Sequence, residues 1–205
     1  MAPDTYHHGD LPNALRSVAA DLLAEQGVAG FSLREVARRA DVSHAAPAHH
    51  FGDASGLLTA VAIEGFHHLA VRTSEAIEGI EDPVEALVRL GCAYVAVAVD
   101  KPGHCAVLFR KDAVDGDDPD YQAAGDAAFA VLLGAVQRLA DERAPDLDVM
   151  LASQLCWSSM QGLVGLHPTM VELGANHGLQ VAPIGELAEA FTRQMVHGLV
   201  PGSDA

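Results

Sequence analysis

The sequence predicts an all-α protein, and three observations predict it. Apolar residues recur almost everywhere at i, i+3, i+4 and i+7, the spacing that gathers them on one side of a helix. The segments so patterned are separated by short breaks built from Gly, Pro and Asp: Gly27, residues 52–56, Asp82-Pro83 and Lys101-Pro102-Gly103. No segment reads as a strand; residues 94–99 alternate, but they are Ala-rich and continue a helical stretch, so they are assigned to helix. About nine helices follow, divided between a three-helix N-terminal head and a larger C-terminal helical body.

Composition narrows the function classes. The chain has 205 residues, 50% hydrophobic and 20% charged, enough for a packed core in one large domain or two small ones. Lys and Arg total 12 against 28 Asp and Glu, a net charge of -16 with His neutral. A field of that sign repels phosphate and argues against a general polyanion binder. The longest nearly uncharged apolar run, residues 90–99, is short of the roughly 20 residues of a membrane span, so no membrane partner is expected. The opening MAPDTYHHGDLP has acid and imidazole where a signal peptide has base and then an apolar run. Cys92, Cys105 and Cys156 form a sparse, odd set with no disulfide framework, which points to the cytoplasm.

The elements can be justified in order. Leu15, Val18, Ala19, Leu22 and Leu23 make one apolar face of a first helix, capped by Asp10 and ended by Gly27. Ser32-Leu33-Arg34-Glu35 has the form of a capping box and opens a short second helix with Leu33, Val36, Ala37 and Ala40 inward. Asp41-Val42-Ser43 reads as a tight turn, and Ser43 as the cap of a third short helix over residues 44–51 with Pro47 near its first turn. A long helix over residues 57–78 carries Leu58, Val61, Ala62, Gly65, Phe66, Leu69, Thr73 and Ile77 on one stripe. Asp82-Pro83 restarts the chain into a helix over 84–99, and a short apolar piece runs to Phe109. Residues 112–120, DAVDGDDPD, are a solvated acidic loop capping the next helix, since a calcium loop's alternating acids and closing Glu are missing. That helix runs from about Gln122 to Glu142. Asp146 then caps a helix with Leu147, Leu151, Leu155, Ser159 and Leu163 in i+4 steps, and residues 167–183 form a loop. A last helix carries Leu187, Ala190, Phe191, Met195 and Leu199.

Charge is unevenly spread. Residues 1–55 hold four bases and seven acids, a net of -3, while the remaining residues carry -13. The same segment holds five of the 11 histidines, His7, His8, His44, His49 and His50; protonating all five would take it to +2. Adjacent histidines on a helix point about 100° apart, so neither His49-His50 nor His67-His68 is read as a metal site.

Helix, short helix, tight turn, short helix within the head is the helix-turn-helix arrangement, whose last helix must enter a major groove. Ser32 and Arg34 can hold a backbone phosphate through hydroxyl, amides and guanidinium, and Ser43 can do so before the third helix. His44, Ala45, Pro47 and His49 are the residues read as facing base edges; Ala and Pro can meet thymine methyls, and imidazole can donate or accept.

Residues 32–51, SLREVARRADVSHAAPAHHF, resemble the helix-turn-helix of the tetracycline-repressor (TetR/AcrR) family, whose pattern is T-x-R-x-I-A-x-x-A-G-V-S-x-G-x-L-Y-x-H-F and then P-x-K-x-x-L-L. Arg34, Ala37, Ala40, Val42, Ser43, His50, Phe51, Leu57 and Leu58 match, with Val36 for Ile and Ser32 for Thr. The flanking YHHGDLPNAL and LLTAVAIEGF resemble a subfamily known by a C-terminal Trp–His–Gly signature. Trp157-Ser-Ser-Met-Gln161-Gly162 is similar to that signature, with Gln for His. Several positions depart, and three of them matter here. Asp41 replaces the turn Gly, Ala48 a phosphate-contacting Tyr, and Ala54 a phosphate-contacting Lys. The recognition helix thus has no Lys or Arg, which implies weaker binding and a shallower salt dependence, with His49 and His50 left to take up that role.

The resemblance implies a DNA-binding head over residues 8–56, with the motif at 32–51, and a ligand-binding and dimerisation domain over 57–200. It implies a transcriptional regulator, expected to be a repressor, that binds a palindromic operator in double-stranded DNA as a homodimer and is released by a small-molecule effector. In the body, small residues Ser158, Ser159, Gly162 and Gly198 fit a close helix seam between copies, or ordinary packing within one chain. Phe66, Cys92, Tyr94, Phe109, Phe129, Trp157 and Met160 are large or soft residues that could line an effector pocket, though core packing accounts for each of them. No catalytic motif is present: no G-x-S-x-G, phosphate loop or H-E-x-x-H, and Cys105 beside His104 is adjacency alone. An enzyme is therefore not expected, nor any cofactor. The competing reading is a helical ligand-binding dimer of the same fold with weak or lost DNA binding.

Overall fold

A computed structural model of the chain describes residues 11–199; Asp10, His7 and His8 lie outside the described residues. Among these are nine α-helices, one 3-10 turn and no strand. The helices are α1 (Leu11–Gln26), α2 (Leu33–Arg39), α3 (Ala46–Phe51), α4 (Ala54–Ile77) and α5 (Pro83–Asp100). They continue as α6 (Pro102–Cys105), α7 (Pro119–Arg143), α8 (Val149–Asn176) and α9 (Ile184–Leu199). Helix is therefore right for residues 94–99. The alternation of small Ala with Val there presents apolar atoms on all sides of a half-buried helix.

The chain folds into two compact units whose division departs from the 56/57 boundary expected of the domains. One holds residues up to Phe66 together with Lys101–Gly125; the other holds His67–Asp100 and the residues from Asp126 on. In the first unit α1, α2 and α3 pack together over buried Leu15, Ala19, Leu22, Leu23, Val36 and Ala37. α6 packs on α1 so closely that a Cβ on Gly103 would stand 1.8 Å from the carbonyl oxygen of Ala20. Phe66, 5% exposed, sets its ring edgewise to Phe109 and Tyr121 at 5.7 and 5.5 Å. The Tyr121 hydroxyl donates to the Leu108 carbonyl at 2.8 Å.

In the second unit α5, α8 and α9 pack on one another. One cluster gathers Leu87, Leu90, Val136, Leu139, Cys156 and Val196, and another gathers Val95, Met160, Leu163 and Ala188. Gly91 lets α5 approach α9; a Cβ there would meet Thr192 Oγ1 at 2.4 Å. Arg193 on α9 reaches Glu85 on α5 at 3.0 Å. α4 and α7 are long and apolar enough to cross a membrane by length and composition, which the reading of residues 90–99 did not anticipate. In this fold α4 buries Leu57, Val61, Ala62 and Phe66, and α7 buries Val136 and Leu139.

Local signals set some helix ends and not others. Gly27 at φ 66° ends α1 with its N–H donating to the Leu23 carbonyl. Asp118 caps α7, accepting from the N–H groups of Asp120 and Tyr121 at 2.8 and 3.0 Å, which starts that helix three residues before the expected Gln122. The cap of α8 is Asp148, accepting from the Leu151 N–H at 2.9 Å, and not Asp146. The loop expected over 167–183 is shorter, because α8 continues through Pro168 to Asn176. Contacts beyond the proline hold that far end. The His167 ring lies 3.2 Å from the Ala182 carbonyl, and the Leu179 N–H donates to the Gly174 carbonyl at 2.8 Å. The expected i+4 stripe on α8 also splits, with Leu151 and Leu155 exposed while Ala152, Cys156, Met160 and Leu163 are buried. On α9 the buried line is Ala188, Thr192 and Val196, and Phe191 is exposed.

Candidate nucleic-acid interface

Two residues with positive φ, Asp41 and Gly52, bracket the turn and α3. After α2, Asp41 adopts φ 54°, the one described non-glycine residue with positive φ, and it occupies the turn position where Gly was expected. Asp tolerates this region better than most residues because its short polar side chain can bond locally. The turn is closed by the Val42 N–H donating to the Ala37 carbonyl at 3.0 Å. The Ala46 N–H donates to the Ser43 carbonyl at 2.9 Å, and α3 begins at Ala46 rather than at His44. Pro47 sits in the first turn, where its missing N–H costs nothing. Gly52 at φ 79° ends α3, its N–H donating to the Ala48 carbonyl.

This geometry sorts the sequence candidates. Ser43, His44, Ala45, His49 and His50 are exposed along the turn and α3, and Ser32 and Arg34 are exposed at the start of α2. Pro47 is buried, so it packs the head and does not face outward as expected. A six-residue helix has only a narrow inner face, and the rigid apolar ring takes it. Ala48 is exposed instead, a residue the sequence reading treated only as a missing contact. His50 is exposed, and its ring centroid lies 5.3 Å from that of His49.

The capping box expected at Ser32 and Glu35 does not form, and neither helix of the motif has a side-chain cap from Ser32 or Ser43. Glu35 faces arginines instead. It accepts from Arg38 at 2.6 and 2.8 Å and from Arg39 at 2.9 Å, while Arg39 also reaches Glu25 on α1 at 2.7 Å. Those guanidiniums hold the Glu35 carboxyl down to about 2, Arg38 contributing most, and Arg39 holds Glu25 below the ordinary carboxylate range. Four of the head's charges are therefore internally paired. The i, i+3 and i, i+4 spacing of Glu35 with Arg38 and Arg39 was visible in the sequence; the Glu25 contact across helices was not. Arg34 has no ion pair among the described residues. Elsewhere in this unit, Glu64 lies 3.4 Å from Arg16 and 3.7 Å from the buried His104 ring.

The residues expected to line an effector pocket are divided between the two units. Phe66 and Phe109 belong to the aromatic cluster of the first unit. In the second unit Cys92 and Tyr94 pack beside Val95, Met160 and Ala188, and the Tyr94 hydroxyl donates to Gln161. Trp157 packs on Phe129 with ring centroids 5.6 Å apart, in the other cluster. An open cavity of about 490 Å³ in the first unit touches none of these seven; it is lined in part by Phe51, Thr59, Asp53, Asp115 and Asp118 and is acidic rather than apolar. Burial pushes the Cys105 and Cys156 thiols up to about 11, the opposite of what a nucleophile needs.

A turn with a left-handed residue between two short helices, on a chain otherwise made of long packed helices, defines a helix-turn-helix protein with a helical body. Residues 15–61 match the model of bacterial regulatory proteins of the tetR family, and residues 87–197 match the tetracyclin repressor-like C-terminal domain. The chain belongs to the TetR family of DNA-binding transcriptional regulators, which are not enzymes. Among solved structures it is similar to a protein of unknown function from Rhodococcus sp. RHA1, at 29% identity and TM-score 0.76, over 97% of this chain and 100% of that one. It is also similar in fold to the TetR family transcriptional regulator PfmR from Thermus thermophilus, at 22% identity and TM-score 0.72, over 90% and 98% of the two chains. The fatty acid degradation regulator FadR from Bacillus halodurans shares the fold at 13% identity and TM-score 0.74, over 95% and 98%. No curated protein matches the sequence.

Proposed function

We propose that the chain is a ligand-responsive repressor, working in the cytoplasm, that binds a palindromic operator as a homodimer and is released by a small molecule held in its C-terminal domain. The observation that carries the reading is the exposure of Ser43, His44, Ala45, His49 and His50 on one short segment after the Asp41 turn, with Ser32 and Arg34 exposed nearby. Hydroxyls and the Arg34 guanidinium suit phosphates and would set the register, while Ala45 and the imidazoles suit base edges.

Self-association is supported by the outer side of α8. Leu151, Leu155, Leu166 and Leu173 are exposed there, and Phe191 is exposed on α9. Ser158 shares that side, and Gly162 and Gly198 leave open space around their Cα atoms. A second copy would cover such a stripe. Two heads on a dimer must reach successive major grooves, roughly 34–36 Å apart, and an effector that favours another spacing weakens binding by its differential affinity for the two states.

The test is a fluorescence titration of labelled duplex from the DNA flanking the protein's own gene, against a shuffled duplex, at low and high salt. Sequence-dependent binding with a shallow salt dependence is the expected result.

One observation favours a second reading, a helical ligand-binding dimer with weak or lost DNA binding. Arg38 and Arg39 are committed to Glu35 and Glu25, and α3 has no Lys or Arg. Binding that is absent, or indifferent to duplex sequence, would select this reading over the first.

A further inference from the structure

The DNA-binding reading leaves open where the recognition face finds positive charge. Arg38 and Arg39 could supply it only by giving up Glu35 and Glu25, at 2.6 to 2.9 Å. What the face does present is imidazole. His44 lies in the turn and His49 and His50 on α3, all exposed. The His49 and His50 rings are 5.3 Å apart and 70° from coplanar. Two protonated rings at that separation repel one another; an anion seated against both removes the repulsion and favours the charged form of each. A phosphodiester backbone brings such anions at regular spacing.

We propose that His44, His49 and His50 join Arg34 as cationic contacts of the operator interface, bound to DNA in protonated form, so that operator binding takes up protons. The proposal rests on the DNA-binding reading above. Charged groups lie on the elements packed around these rings. On α2, which packs on α3, they are Arg34, Glu35, Arg38 and Arg39; on α1, which also packs there, Arg16, Asp21 and Glu25. Asp41 and Asp53 lie in the flanking turns, and Asp115 and Asp118 line the cavity at the end of α3. Glu35 and Glu25 are satisfied by arginine and Arg16 by Glu64. Imidazole is the side chain that ordinarily changes charge between about pH 5 and 8. If the complex binds more protons than the free protein and duplex, affinity rises as pH falls, because linkage requires it.

The experiment measures operator affinity of the full chain from pH 8 to pH 6 at fixed ionic strength, with calorimetric titration at pH 7 in buffers of different ionisation heat. Kd should tighten by about tenfold or more across that range, with uptake of about half a proton or more per chain. The H49Q/H50Q double variant keeps hydrogen-bonding groups without the charge and should flatten the response to under about threefold. H177Q, at the far end of α8, should keep the full response. Thermal unfolding by circular dichroism checks that the variants are folded. Sequence-specific binding that is flat in pH, or a full response in the double variant, overturns the proposal and leaves the DNA-binding reading standing. No duplex binding at any pH overturns both.

Discussion

Gly103 shows how much can depend on one missing methyl. The Ala20 carbonyl occupies the place a Cβ would take, and backbone on both sides leaves nothing flexible to yield. G103A should destabilise the fold by about 3 kcal/mol, the upper end for overpacking, read from denaturant unfolding. An unchanged midpoint would mean that α6 does not sit on α1 as described. Glu35 is a second single-residue control. Its carboxyl is held at about 2 against an ordinary 4.5 by Arg38 and Arg39. A depressed carboxyl contributes stability that is complete above about pH 4.5 and is lost as pH falls toward 2. The stability difference between the parent and E35Q should therefore be full at neutral pH and close through that window. A difference independent of pH would show that the arginine clamp contributes no linkage.

At the scale of elements, α8 is the instructive case. A proline inside a helix removes one hydrogen bond and crowds the preceding turn. The helix nonetheless runs through Pro168, because the His167 ring and Gly174 tie its far end to residues 179–182. P168A should restore the missing donor and raise stability by about 1–3 kcal/mol, measured by thermal unfolding. A loss of stability would mean that the proline bend is needed for the turn that follows. The same element explains a miss in the sequence reading. Residues 151, 155, 159 and 163 share an i+4 line, but a straight helix rotates that line away from its neighbours, so Leu163 is buried and Leu151 exposed. The head was read more fully. Its turn, the short helices and the closing Gly52 depend on contacts within a few residues, and Asp41 takes the left-handed backbone of the family's turn Gly that it replaces. Pro47 turns inward because its side of α3 is chosen by α1 and α2, which no local pattern names.

At the scale of the whole molecule, the outer side of α8 and α9 carries the proposal of a dimer. L155E places a charge in the middle of that stripe, on a side chain that is 47% exposed and so contributes little to the chain's own core. The variant should keep its helical content and sediment as a monomer. Its affinity for a palindromic duplex should fall by about 100-fold, because the second head is no longer tethered. A dimer that survives L155E would place the seam elsewhere.

Periodicity, caps and turn residues by themselves determined that the chain is helical, where its short head lies, and which family its motif resembles, because these features are written in residues less than about five apart. Only the tertiary structure decided that Arg39 is paired with Glu25, that Pro47 turns inward, that α6 packs beneath α1, and that the pocket candidates fall into separate clusters. Each of those facts joins residues distant in the chain. What selects among such pairings is the burial and charge compensation of the folded molecule, which a local pattern does not encode.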